Sequence, residues 1–78
     1  MLKALFKRLS VSGQRIGAID NRWTSCQDKD RGSIARSGIA QLNEILSAAG
    51  LDSDLRDWAT NLRAVMQRHL EEYDSQKH

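Results

Sequence analysis

At 78 residues, 40% hydrophobic and 28% charged, the chain is long enough for one small domain and too apolar to be plainly disordered. No proline and only five glycines turn it away from a turn-rich all-β fold, and a single cysteine, Cys26, excludes an internal disulfide framework and points to a reducing, cytoplasmic setting. The net charge of +2 hides an asymmetry: residues 1–31 carry seven basic side chains against three acidic ones, residues 32–78 five against seven.

Leu2, Leu5, Phe6 and Leu9 share one helical face, with Lys3, Lys7 and Arg8 elsewhere. The interspersed charges and the lack of a long apolar run do not fit a signal peptide, and no stretch reaches the ~20 apolar residues of a membrane span. Continuing the register places Leu9, Ile16 and Trp23 at one heptad position, and Leu5, Ser12, Ile19 and Cys26 at the other. One long helix over 2–26 satisfies this pattern. Gly13 and Gly17 argue for a break within it, each costing ~1 kcal/mol in a helix interior relative to alanine. A β-hairpin across Ile16–Cys26, turning at Asp20-Asn21, is the competing local reading.

Asp28-Lys29-Asp30-Arg31-Gly32 reads as a charged linker, 28–33, with Ser33 capping a second helix whose stripe is Ile34, Gly38, Leu42, Ile45, Leu46 and Ala49. Gly50 is the natural left-handed stop, Leu51 folds back onto Leu46 or Ile45, and Asp52 or Ser53 caps the third helix. That helix, about Ser53 to Tyr73, bears Leu55, Trp58, Ala59, Leu62, Val65, Met66, His69, Leu70 and Tyr73 near 3.6-residue spacing. The expected architecture is an all-α, small three-helix bundle in a single domain over 1–78. Its parts are a basic N-terminal segment (1–27), the linker, a helical hairpin (34–74) and a frayed tail (75–78).

Chemistry finds little footing. Cys26, His69 and His78 have no zinc spacing, and Asp28-x-Asp30 with Gly32 lacks the glycine position and closing glutamate of a calcium loop. His69 lies on an apolar stripe and fits a packed histidine better than a base, while Cys26 fits a small hydrophobe. Gly13-x-x-x-Gly17, flanked by Gln14 and Arg15, reads as a joint. No catalytic residue, metal or cofactor is therefore expected, and the chain does not read as an enzyme.

Three binding modes remain. The turn at Gly50 between two helices resembles a helix-turn-helix, with Arg56, Thr60, Arg63 and Gln67 forming a stripe suited to base edges. Asp52, Asp54 and Asp57 crowd the end such a helix would present to phosphates, so nucleic acid stands as the alternative partner. The short basic N-terminal stripe offers too small a footprint for a membrane surface. The leading expectation is protein binding through Leu2, Leu5, Phe6, Leu9, Ile16 and Trp23, backed by Trp58, because two helices alone cannot cover these apolar stripes. By analogy of size and class, such a chain acts as a dimeric accessory regulator or inhibitor of a larger bacterial or phage-related protein machine.

Overall fold

The computed structural model describes residues 10–76, with side-chain surroundings for residues 10–72. Three helices follow one another: α1 (Val11–Ser25), α2 (Asp28–Leu46) and α3 (Ser53–Gln76). Each pair of helices is in contact, giving a small all-α three-helix bundle. The contacts fix the directions. Arg15 meets Glu44 and Trp23 meets Arg31, so α2 returns antiparallel to α1. Asn43 meets Arg63 and Gly38 meets Met66, so α3 returns antiparallel to α2.

Helix α1 starts where Ser10 accepts a hydrogen bond from the Gly13 N–H at 3.1 Å, an N-cap that satisfies one of the open donors of the first turn. It buries Gly13, Ile16, Ile19 and Trp23. Helix α2 buries Ala35, Gly38, Leu42 and Ile45. Helix α3 buries Leu55, Ala59, Leu62 and Met66. In each case the spacing of three and four residues keeps one face turned inward. Among the described residues ten buried apolar side chains form one cluster, with Ile34, Ile39, Leu46, Leu51, Trp58 and Leu70 packed at its edge. No helix among the described residues is long and apolar enough to cross a membrane.

Several local expectations are corrected. The segment 28–33 is not a linker but the opening of α2, with Gln27 at the N-cap in place of Ser33. Gln27 makes no side-chain cap bond, and Asp28 and Asp30 in the first turn complement the helix dipole instead. The helical hairpin therefore begins at Asp28, not residue 34. Gly13 and Gly17 do not break α1, and helix replaces the β-hairpin across Ile16–Cys26. Packing outweighs glycine's propensity cost here: Gly13 is buried, and an added Cβ on Gly17 would lie 3.5 Å from the Trp58 indole.

The turn between α2 and α3 also differs in detail. α2 ends at Leu46, where Ser47 N–H bonds Asn43 O and Ala48 N–H bonds Ile45 O, both at 3.1 Å. Gly50 adopts φ +79°, the left-handed conformation expected of it, but inside the turn and not at the helix end. Ala49 is accordingly exposed rather than on the stripe. Asp52, not Ser53, caps α3, accepting from the Asp54 N–H at 2.9 Å. Val65, expected on the apolar stripe of α3, faces outward at 52% exposure. At the far end α3 includes residues 75 and 76 of the expected 75–78 tail, and residues 77 and 78 lie outside the described residues.

Candidate functional site

The end of the bundle where α1 stops and α2 starts gathers the most polar chemistry. The last carbonyls of a helix lack intrahelical partners. Here the Trp23 carbonyl accepts from Cys26 Sγ at 3.2 Å and from Arg31 Nη1 at 3.4 Å. The Arg31 guanidinium also lies over the Trp23 ring, 4.8 Å from its centroid, and its Nε sits 3.6 Å from Asp28 Oδ1. From α3, the His69 ring meets Trp23 edge-on, with centroids 5.5 Å apart and planes at 77°. Trp23 is thus gripped by an arginine and a histidine while its apolar body fills the core.

Beside this cluster opens a surface depression of about 460 Å³ lined by Asp28, Lys29, Arg31, Gly32, Ser33, Arg36 and His69. Three formal cations face one formal anion there, with a histidine on the opposite helix. Asp28 is fully exposed, so water screens its attraction to Arg31. The arrangement offers N–H donors and positive charge, the chemistry that receives a carboxylate or phosphate oxygen.

The residues singled out from sequence are dispersed. Ile16 is fully buried and Trp23 is 8% exposed, so both spend their apolar surface inside the bundle. Leu2, Leu5, Phe6 and Leu9 lie outside the described residues. On α3, Arg56, Thr60 and Gln67 are exposed along one edge, as their spacing requires. Arg63, on the same edge, is half-buried and donates from Nη1 to Asn43 Oδ1 at 2.7 Å. The connection from Ser47 to Asp52 is longer than the three or four residues of a helix-turn-helix turn.

Among the described residues no group of three or more His, Cys, Asp or Glu side chains is placed to share a metal ion. His69 packs on Trp23, as a structural histidine would, and also lines the depression. The depression itself went unread in the sequence. Its one local signal is the close spacing of Lys29, Arg31 and Arg36, of which the linker reading assigns the first two to solvent. Comparison with protein-family models, with curated proteins and with solved structures gives no match to this chain.

Proposed function

We propose that this protein is a small non-enzymatic interaction module that binds another protein as a dimeric accessory regulator or inhibitor of a larger protein machine. One observation supports the reading above the others. Among the described residues the three helices spend their apolar stripes on one another, so the cover that two helices lack is supplied within the bundle and the contact falls to Leu2, Leu5, Phe6 and Leu9. Val11, at 77% exposure, is an exposed apolar side chain two residues after Leu9, the last member of the Leu2, Leu5, Phe6, Leu9 repeat.

Ile16 and Trp23 act in this reading as internal supports, and the four N-terminal apolar residues carry the contact. The test is the full-length Phe6→Asp variant beside wild type, in sedimentation equilibrium and in affinity capture. The expected result is loss of the dimer mass and of the captured protein, with the circular dichroism of the helices retained. Unchanged mass and unchanged capture in Phe6→Asp overturn the proposal.

A further inference from the structure

We infer that the depression between the first turns of α2 and His69 of α3 is an anion-recognition site that takes a carboxylate side chain from an acidic segment of the protein partner. The inference rests on the protein-binding reading above and gives that partner a chemistry.

Three features of the depression support it. First, the lining itself carries more positive than negative charge. Lys29 and Arg36 are exposed and form no ion pair with any described residue, and the one carboxylate in the lining, Asp28, is spent on Arg31 across solvent. Second, Arg31 is ordered in advance. Trp23 lies beneath its guanidinium, the Trp23 carbonyl holds Nη1, and its side chain is only 25% exposed. A guanidinium already fixed loses less conformational freedom when it meets an anion. Third, the lining has room at the backbone: a Cβ placed on Gly32 would meet nothing within 4 Å, so an incoming group can approach the α2 main chain beside the Ser33 hydroxyl.

The surroundings select a single carboxylate over a continuous polyanion. Asp30 lies in the same first turn of α2, and Glu71 and Glu72 follow His69 along α3. A phosphodiester backbone crossing this end would pass these acids and be repelled, whereas one side chain entering between Lys29, Arg31 and Arg36 avoids them.

The test uses the isotope-labelled full chain titrated with a blocked peptide of alternating Glu and Gly, followed by amide chemical shifts. Its controls are the matching peptide of Gln and Gly and a short DNA duplex of equal charge. The expected result is a set of shifts centred on Lys29, Arg31, Gly32, Ser33, Arg36 and His69, absent with the Gln peptide and reduced by salt. Arg36→Glu, at an exposed position that leaves the core intact, should weaken the Glu peptide about tenfold or more. The site is overturned by shifts centred elsewhere, by no shifts, by equal response to the Gln peptide, by Arg36→Glu without effect, or by duplex DNA displacing the peptide.

The two proposals fail separately. A partner lost by Phe6→Asp but kept in full by Arg36→Glu removes the carboxylate site and leaves the protein-binding reading standing. Specific peptide binding at the depression with unchanged capture and mass in Phe6→Asp does the reverse.

Discussion

Gly38 and Gly32 occupy the same helix under opposite constraints. A Cβ on Gly38 would fall 2.7 Å from Met66 Sδ, 2.8 Å from Met66 Cε and 3.3 Å from Ile19 Cγ2. Met66 is fully buried, so its thioether must shift within the core to make room. Overpacking costs about 1–3 kcal/mol, offset by about 1 kcal/mol of helix propensity, so Gly38→Ala should destabilise the bundle by up to about 2 kcal/mol. Gly32→Ala meets no neighbour within 4 Å and should stabilise by about 0.5–1 kcal/mol through helix propensity and a less free unfolded chain. Urea midpoints of the two variants measure the contrast, and equal shifts of one sign would contradict it. A second residue-scale tie is the bond from Trp58 Nε1 to Asp20 Oδ2 at 3.1 Å, which joins α3 to α1. Asp20→Ala should cost about 0.5–1.5 kcal/mol, the ordinary worth of a partly buried hydrogen bond, read from the same urea midpoint.

At the scale of elements, the α2–α3 turn depends on two residues with separate tasks. Gly50 supplies the left-handed φ, and Asp52 closes the first turn of α3 through its carboxylate and through its carbonyl, which accepts the Arg56 N–H at 2.8 Å. Asp52→Ala should lower stability by about 1 kcal/mol as a lost cap, and Gly50→Ala by about 1–2 kcal/mol as a strained φ. Both losses should appear in thermal unfolding. This turn was legible in sequence because its determinants are local: a residue that tolerates positive φ, and a short acid two places later. The opening of α2 was not. Asp28 to Gly32 has the composition of a loop, and Gln27 gives no capping signal. What makes it helical is the placement of Ala35 and Gly38 against the other helices, which a window of neighbours does not reveal. The same holds for α1, where Trp58, far along the chain, packs beside Gly17. The candidate site was the least legible feature, because Arg31 reaches Trp23 across the α1–α2 junction and His69 arrives only through the return of α3.

Over the whole molecule, the basic and acidic halves of the sequence do not become two faces, since the antiparallel returns interleave them. Arg15 of α1 lies 3.5 Å from Glu44 of α2, a pair open enough to water to contribute little. Both ends carry mixed charge: Lys29, Arg31 and Arg36 stand with Asp28, Asp30, Glu71 and Glu72 at one, and Glu44, Asp52, Asp54 and Asp57 with Arg15 and Arg56 at the other, where α2 stops and α3 starts. The depression lies at the end of the bundle opposite the start of α1, where Ser10 and Ser12 sit beside the α2–α3 turn. Dimerisation and acidic-partner binding are then separable properties. If association contributes to folding stability, the melting temperature of wild type must rise with protein concentration, by roughly 2–5 °C for a tenfold increase in a domain of this size. In Phe6→Asp that dependence should vanish, whereas in Arg36→Glu it should persist unchanged, since the proposal assigns self-association to the Leu2–Leu9 stripe and not to the depression. A wild-type melting temperature independent of concentration, together with a monomer mass, would remove the dimer from the proposal and leave a single bundle to meet its partner alone.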